Sequence, residues 1–418
     1  MRIIPWRSRH LATLFCSLAL TMPALAEVAE GTVLSRDNLD SLLGDTFDGH
    51  KMADLIPERM AWLIREHGMR LTLEKRSEIR MDPRFEAATQ ANRSAVSFDP
   101  ATRSVKGWEA GIPFPDLDPA DPHAGDKAAW NIILGQTYGH TIRFPSARYL
   151  FIDGNSGLER NQTIEGVRTY MQGRLDDGPT RTADDEMHRT ILVFTYPRDV
   201  KGIGTFTIRP NDYAEPEKTW AYIKSVRRTR RLSGGAWMDP IGGGDQLNDD
   251  WDGWDAEPPK YKSIRLVGKR WMLAAANTQV QFPTDPGDDT FTTVNVKAPP
   301  YFMPDAGFRV QPREVYVFEA IAPDAHPYGK KVVYAEADYP GVYMAEYFDR
   351  NDAFWKVYWT GRKPVTAPDG FQSVIPVTAH ILDFKRMHGT VWVSNPESNP
   401  PGWGRQSVTL QKLEQMGR

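Results

Sequence analysis

The sequence predicts a mainly β protein with a few helices (α+β), built on one antiparallel sheet large enough to curl. Within residues 69–418, apolar and polar residues alternate repeatedly with a period of two, as on half-buried strands. Short turn-forming stretches separate about a dozen such runs, and so many strands in one sheet favour curling. No Pro/Gly/Ser-rich linker divides the runs and no fixed-period repeat indicates a propeller. We therefore expect a single large β domain.

The first 26 residues have the order of a secretory signal peptide. Arg2, Arg7 and Arg9 precede an apolar run over residues 11–20, and small residues at 24–26 form a cleavage site. The apolar run is shorter than the roughly 20 residues that span a bilayer, and no later segment approaches that length. We therefore expect export, cleavage after residue 26 and no transmembrane segment afterwards.

Residues 27–68 are predicted to be a helical segment. Ser35 can cap a first helix in which three leucines share one face. A second helix is expected to begin at Pro57 and to end at Gly68. A further helix is predicted at residues 123–136, between the strands of the β domain.

The alternating runs predict the strands in chain order. They are MRLTLE, AVSF, RYLFI, TILVFTY, GTFTI, TWAYI, RTRRL, SIRLVG, REVYVFEA, KVVYAEA, VYMAEYF, WKVYW, SVIPVTAHI and TVWVS.

The stretch EKTWAYIKSVRRTRRLSGGAWMDP is the most basic part of the chain. On a strand its arginines divide between two faces and form no single basic stripe. The formal charge of −3 and the pI of about 6.3 also count against a nucleic-acid-binding protein. Because arginine pairs with carboxylates through two bonds, we predict a structural clamp onto the downstream acidic loop. Its members are Arg228, Arg230, Arg231, Asp239, Asp245, Asp249 and Asp250.

Motifs of catalysis are scarce. G-x-S-x-G, H-E-x-x-H and a phosphate-binding Gly-Lys-Ser/Thr loop do not occur in the sequence. Cys16, the only cysteine, lies in the predicted signal peptide, so the mature chain has no thiolate nucleophile or ligand. A hydrolase that uses the scattered Asp and His residues is disfavoured. We predict a non-enzyme without catalytic residues, cofactor or metal.

One acidic loop partly matches a calcium-binding loop. Asn248, Asp250, Asp252 and Gly253 stand at its positions 1, 3, 5 and 6. Pro259 stands where a bidentate Glu is required. The alternative is an acidic loop that is solvated or paired with arginine, and calcium binding is left open.

Four blocks of sequence occur in order along nearly the whole mature chain. They are DTFDGHKMADLIPERMAWLIREHGM, GIPFPDLDPADPHAGDKAAWN, KTWAYIKSVRRTRRLSGGAWMDPIGGGDQL and YKSIRLVGKRWML. Together they resemble a proteobacterial family of domains of unknown function, family 1329, which is described as outer-membrane lipoprotein-sorting-like. The third block also resembles the wider group of lipoprotein carriers.

The resemblance implies a half-barrel, which is a curved antiparallel sheet with helices closing its concave side. The carriers hold acyl chains there, although a shared fold does not by itself assign a function. Members of the family are often encoded near outer-membrane proteins and resistance-nodulation-division exporters, which implies a task in envelope transport. No catalytic residues are established for the family, and none is carried over.

A half-barrel carrier needs an apolar inner face that is incompletely filled. Each buried methylene of a ligand then contributes about 0.8 kcal/mol. The candidates for the lining or lip are aromatic, although ordinary core packing would also explain them. They are Trp220, Tyr222, Trp237, Trp251, Trp254, Tyr316 and Phe318.

Two functions are therefore considered. The first is a periplasmic protein that binds a lipid or other hydrophobic molecule in envelope transport, with a peripheral position at the outer membrane left open. The alternative is an adaptor with a fully packed sheet that recognises an outer-membrane protein or an exporter through its surface. An apolar cavity on the concave face would distinguish the first from the second.

Overall fold

The structure is a computed structural model of the 418-residue chain. It describes residues 26–135, 138–176, 178–182, 184–224, 226–232, 237–281, 283 and 285–418. The predicted signal peptide, apart from its last residue, lies outside the described residues.

The described residues contain short helices at both ends of the chain and a few within it. The α-helices are α1 (Leu39–Leu42), α2 (Met52–Leu55), α3 (Glu58–His67), α4 (Pro83–Ala95), α5 (Ala124–Leu134) and α6 (Leu410–Gly417). Turns of 3-10 helix cover Ile241–Gly243, Asn248–Gly253 and Pro258–Lys260.

Strands dominate the rest. The short strands before α5 are β1 (Val33–Leu34), β2 (Thr46–Phe47), β3 (His50–Lys51), β4 (Leu71–Leu73), β5 (Ser97–Asp99) and β6 (Ser104–Lys106). The next group is β7 (Thr141–Asp153), β8 (Gly157–Tyr170), β9 (Glu186–Tyr196), β10 (Gly204–Pro210), β11 (Lys218–Ile223) and β12 (Arg228–Arg231). The last group is β13 (Ser263–Ala274), β14 (Arg309–Ile321), β15 (Lys330–Glu336), β16 (Val342–Phe348), β17 (Phe354–Thr366), β18 (Gln372–Asp383), β19 (His388–Val393) and β20 (Glu397–Ser398).

Sixteen of the described strands form one sheet. Its order is β1-β4-β14-β15-β16-β17-β18-β19-β7-β8-β9-β10-β11-β12, with β13 also paired to β14 and β20 to β7. The pairing is antiparallel, except between β4 and β14, which are parallel. The sheet does not close, because β1 and β12 stand at its two ends without pairing to each other.

The sheet curves around residues 237–262, which lie between β12 and β13. We call these residues the central segment. Asp249 accepts a hydrogen bond from the backbone N–H of Asp255 at 3.1 Å, so these two residues are in contact. Asp249 pairs with Lys331 of β15 at 2.6 Å, whereas Asp255 pairs with Arg209 of β10 at 2.9 Å. In a flat sheet β15 and β10, eight strands apart, would be separated by about 38 Å. Strands so far apart in the ladder therefore face the same short segment across a concave surface.

The concave side of the sheet is packed differently along two groups of strands, which we call the β13–β18 arm and the β8–β11 arm. On the concave side of β13–β18, α5 and the central segment form a packed core that includes Trp130, Trp254 and Phe318. The N-terminal helices join a larger core with the middle of the sheet, in which Leu63 and Val357 are fully buried. The concave side of β8–β11 belongs to neither core, and this difference positions the candidate site.

The predicted fold class is confirmed: the chain is mainly β, with a large curved half-barrel sheet and a helix on its concave side. The predicted helices at Pro57 and at residues 123–136 correspond to α3 and α5, and Gly68 ends α3 in the left-handed region at φ 72°. The elements that the sequence did not predict include α4, β8 and α6.

Candidate functional site

A hollow of about 370 Å³ lies on the concave side, between β7–β11 and the central segment. Smaller cavities of about 60 Å³ and 20 Å³ adjoin it. Arg168 of β8 and Trp251 of the central segment line all three spaces, which therefore adjoin one another at these two side chains. We call the three adjoining spaces together the concave hollow.

The inner faces of β8 and β9 supply its floor. In the antiparallel register Ile164 lies opposite Phe194, and Gly166 lies opposite Leu192. The side chains of Ile164, Leu192 and Phe194 are half-buried, and among the described residues they border the open space of the hollow on its concave side. Ile203, which leads into β10, is 39% exposed at the same end. This end of the hollow is apolar.

Gly166 keeps the floor open. A Cβ atom at this position would lie 2.8 Å from Cδ2 of Leu192, which is closer than carbon atoms normally approach. A larger side chain here would therefore have to displace Leu192 or point into the hollow. The absence of a side chain contributes directly to the free space.

The opposite end of the same strands is polar. Arg168 and His188 are buried, and Asp255 of the central segment faces them. Burial raises the pKa of Asp255 to about 6, although Arg209 and Arg168 act in the opposite direction. Burial also holds the pKa of His188 well below its usual value, and the two arginines reinforce the effect. His188 is therefore neutral at neutral pH.

The central segment, which forms the roof, is fixed by a buried cluster of charges. Lys331 donates to Asp249 at 2.6 Å and to Asp250 at 2.8 Å, and all three side chains are 0% exposed. Tyr261 and Tyr328 donate to the same carboxylates at 2.5 Å and 2.8 Å. Burial lowers the pKa of Lys331, but the carboxylates outweigh it and the pKa is raised. The lysine stays charged and holds the segment against β15.

A second buried contact orients Trp251. Its neighbour Asp252 pairs with Arg362 of β17 and accepts a hydrogen bond from Tyr138. The following residue, Gly253, has φ 88°, and a Cβ there would lie 2.5 Å from Val342. Only glycine fits this turn, because both the backbone conformation and the space exclude a side chain.

The convex side of the same strands is covered. Val167 of β8, Ile191 of β9 and Phe206 of β10 pack in one cluster with Leu413 of α6, which is fully buried. Among the described residues, the strands β8–β10 are thus closely packed on the convex face and border the hollow on the other. Their concave face leaves apolar side chains available to a guest.

The seven aromatic residues predicted to line the hollow lie in several different environments. Trp251 lines the concave hollow, and Trp254 lines its smallest chamber while it packs against Phe318, with ring centroids 5.3 Å apart. Phe318 itself is fully buried in the core. Trp237 packs against the ring of His326 at 5.0 Å.

The other three predicted aromatics lie away from the concave hollow. Trp220 stacks on Phe206 at 5.6 Å on the convex side, and Tyr222 is buried under α6 near Gly417. Tyr316 lines a separate cavity of about 30 Å³ beside α5.

The structure does not bring together the residues of the predicted arginine–carboxylate clamp. Asp249 and Asp250 pair with Lys331, and Asp245 pairs with His388 at 2.5 Å and with Arg386 at 3.5 Å. Within the described ranges no ion pair joins Arg228, Arg230 or Arg231 of β12 to any of the four aspartates, including Asp239.

The physical reason is that β12 is an edge strand whose arginines are exposed. Charged side chains on an edge strand hinder pairing with another chain. They therefore protect the edge instead of bracing the central segment.

The calcium-like loop uses its carboxylates within the protein. Asp250 and Asp252, at positions 3 and 5 of the pattern, pair with Lys331 and Arg362. Among the described residues, no group of three His, Cys, Asp or Glu side chains is arranged to hold a metal ion. These ion pairs correspond to the alternative of an acidic loop paired with basic side chains, although one partner is a lysine and not an arginine.

The sequence reasoning missed the residues that line the concave hollow best: Ile164, Arg168, His188 and Leu192. Leu192 lies on the predicted strand TILVFTY, and His188 stands two residues before its start in the same alternation, so a shared face could have been inferred by extending that strand. The strand that carries Ile164 and Arg168 was itself not predicted. In the part of the chain that the structure covers, no helix has both the length and the apolar character needed to cross a membrane.

Comparison with known proteins places the chain among domains without an assigned activity. A family model described as "Protein of unknown function (DUF1329)" matches residues 38–414. No curated protein matches the chain.

Three solved structures align with much of the chain at low identity. A DUF1329 family protein from Desulfovibrio piger is 17% identical, over 70% of this chain and 100% of that chain, with a TM-score of 0.47. A domain assigned to outer membrane lipoprotein sorting, from Vibrio parahaemolyticus, is 14% identical over 66% and 92%, with a TM-score of 0.44. A LolA superfamily protein from Nitrosomonas europaea is 12% identical over 66% and 91%, with a TM-score of 0.36.

Proposed function

We propose that this chain, which belongs to the DUF1329 family, binds a lipid or other hydrophobic molecule in the concave hollow. The observation that carries the proposal is the hollow itself, about 370 Å³ in volume and open on an apolar face. Ligand pockets of small molecules commonly measure about 300–1,000 Å³. A hydrophobic guest would cover Ile164, Leu192 and Phe194, which the described part of the chain leaves half-buried.

The energetics favour a flexible apolar chain as the guest. Each methylene that leaves water contributes about 0.8 kcal/mol, so several buried methylenes give useful affinity without any charged contact. The buried ion pairs of Lys331 and Arg362 already hold the central segment, which reduces the conformational entropy that the roof of the hollow loses on binding.

The adaptor alternative requires a sheet that is packed on both faces. The β13–β18 arm meets that description, but β8–β10 do not, since their concave face is open. The hollow therefore favours a binding protein over an adaptor that works only through its surface. No chemistry is proposed, and the chain acts by holding its ligand.

We further propose that the protein works in the periplasm as part of envelope transport, either free or at the outer membrane. The signal-like first 26 residues support export. Native mass spectrometry of protein extracted from the periplasm tests both parts of this proposal. A lipid-sized adduct supports the carrier, whereas a bare mass with a co-purifying protein supports the adaptor.

Filling the hollow tests the binding site directly. Leu192→Trp should fill the apolar end and weaken binding of a hydrophobic dye at least tenfold, since excluding two methylenes costs about 1.6 kcal/mol. Val267→Trp is the matched control, because Val267 is 51% exposed on β13 and lies outside the hollow. Equal dye binding by the two variants, with unchanged thermal unfolding, would exclude the hollow as the site.

A further inference from the structure

The concave hollow has a gradient of polarity along β8 and β9. From one end to the other, the inward-facing residues of β9 are Phe194, Leu192, Thr190 and His188, and those of β8 run from Ile164 to Arg168. In the register Arg168 lies opposite Thr190, so the guanidinium and the imidazole share one end. A purely apolar guest would leave this end without a partner.

The guanidinium of Arg168 is presented to the hollow. Arg168 is 8% exposed, lines all three adjoining cavities and lies over the Trp251 ring at 4.6 Å. Its Nε donates to the Thr190 hydroxyl at 3.1 Å, and its side chain is also hydrogen-bonded to Tyr170. Its closest carboxylate, Asp255, is 3.9 Å away and is bound more tightly by Arg209 at 2.9 Å. Because a guanidinium has five N–H donors, the Arg168 fork retains donor capacity toward the hollow.

The hydrogen bonds favour one tautomer of His188. An arginine N–H can only donate, so the Thr190 oxygen accepts from Arg168, and its own hydrogen is then available to Nδ1 of His188, 3.4 Å away. In this arrangement the neutral imidazole accepts at Nδ1 and carries its hydrogen on Nε2. In the described part of the chain this buried Nε2 has no hydrogen-bond partner. With this tautomer, a donor with no acceptor lies in the wall of the hollow.

We propose, resting on the function proposed above, that the ligand is an amphiphile with an acyl chain and an oxygen-accepting head group. The chain lies over Leu192 and Phe194. A carboxyl or ester oxygen of the head accepts hydrogen bonds from the Arg168 guanidinium and from Nε2–H of His188. Free fatty acids and esterified lipids share this chemistry, and the ligands of the test distinguish them.

The test compares three ligands with the same chain: palmitate, methyl palmitate and hexadecylamine. Each competes with the neutral dye N-phenylnaphthylamine for the full-length mature protein. Hexadecylamine offers a positive charge and donors to the guanidinium of Arg168 and the Nε2–H of His188. The carboxylates that also line this end, Asp255 and Glu217, are already paired with Arg209. Hexadecylamine should therefore bind at least tenfold more weakly than palmitate or the ester. Tighter binding of palmitate than of the ester indicates a free acid, and the reverse order indicates an esterified lipid.

Two variants assign the preference to the two donors. Arg168→Met and His188→Phe should each weaken the acceptor ligands at least fivefold and leave hexadecylamine unchanged or bound more tightly. Arg231→Met, on the exposed edge strand, is the control and should change nothing. If Arg168→Met does not fold, the nitrogen resonance of Nε2 in His188 still reports on the contact, and it should shift with palmitate but not with hexadecylamine.

The results separate this inference from the proposed function. Equal binding of all three ligands, or an unchanged Nε2 resonance, would overturn the head-group assignment while the hydrophobic site stands. Binding of none of them, and of no dye, would overturn the proposed function together with the inference.

Discussion

Lys331 shows how one residue fixes the geometry of the site from a distance. Its ammonium group is fully buried and is neutralised by Asp249 and Asp250. Four aromatic rings lie within 5.8 Å of its Nζ atom, namely those of Trp254, Tyr261, Tyr328 and Tyr347. Removing one partner of a buried ion pair is costly because the remaining charge is left uncompensated in a medium of low polarity.

Lys331→Met should therefore lower the free energy of unfolding by about 3–5 kcal/mol. Urea unfolding, followed by tryptophan fluorescence, measures the change. The neighbouring Lys330→Met is the matched control, because Lys330 pairs with the exposed Asp352 and such a pair contributes about 0–1 kcal/mol. A loss at Lys331 no larger than that at Lys330 would contradict the role assigned to the buried cluster.

At the scale of elements, the sequence predicted what is local and missed what depends on distant contacts. Alternation identified β9, β14 and most other strands, because one face of each is consistently apolar. It missed β8, whose concave face carries Arg168 and Gly166 toward a hollow instead of a core. The concave face of β8 therefore lacks the regular apolar pattern by which strands are recognised.

The partners of the central segment could not be predicted for a related reason. Asp249 and Lys331 are far apart in the chain, and nothing near either residue marks the other. The local rule that arginine pairs with nearby carboxylate favoured β12, but the curvature of the sheet brings β15 closer. The fold class could thus be predicted from the sequence. The ion pairs that hold the site depend on how the whole sheet curves, and they could not be predicted.

Helix α6 illustrates an element whose contribution is purely one of packing. It spans only Leu410–Gly417, too short to be stable alone, and its buried side chain Leu413 rests on the convex side of β9–β11. The helix thereby supports the strands whose opposite face forms the floor of the concave hollow.

Leu413→Ala should cost about 2–5 kcal/mol in unfolding free energy, since it leaves a cavity beneath the helix. Denaturant unfolding measures the cost. Gln411→Ala, on the exposed face of the same helix, should change the stability by no more than about 0.5 kcal/mol. Similar values for both variants would mean that α6 does not hold the strands.

In the molecule as a whole, the two arms of the curved sheet have different structural roles. The β13–β18 arm is filled by α5 and the central segment and anchors the roof. The β8–β11 arm is supported from the convex side and left open on the concave one. The polar end of that opening concentrates charges from several elements: Arg168 of β8, Arg209 of β10, Glu217 next to β11, and Asp255 and Glu257 of the central segment.

This concentration should make the stability of the whole protein depend on pH through Asp255. Burial, then the nearby glutamates, raise its pKa to about 6 in the folded state against the arginines, whereas an unfolded Asp titrates near 3.9. Because the folded pKa is the higher one, the stabilising contribution is complete below about pH 4 and is lost as the pH rises through about 6. The loss amounts to at most about 3 kcal/mol.

Asp255→Asn removes this titration while it keeps the size of the side chain. Relative to the wild type, the variant should therefore gain stability between about pH 4 and pH 7, and urea unfolding across that range measures the difference. In the difference between the two proteins, the pH-dependent contributions of the remaining carboxylates to stability cancel. Many of these carboxylates are ion-paired and contribute with the opposite sign. Asp338→Asn is the control, because Asp338 is 56% exposed, pairs with Arg313 outside the hollow and should give a difference that does not rise with pH. A difference for Asp255→Asn that stays flat or falls would show that the carboxylate is charged throughout, and the polar end would then carry one more negative charge at acidic pH than the structure indicates.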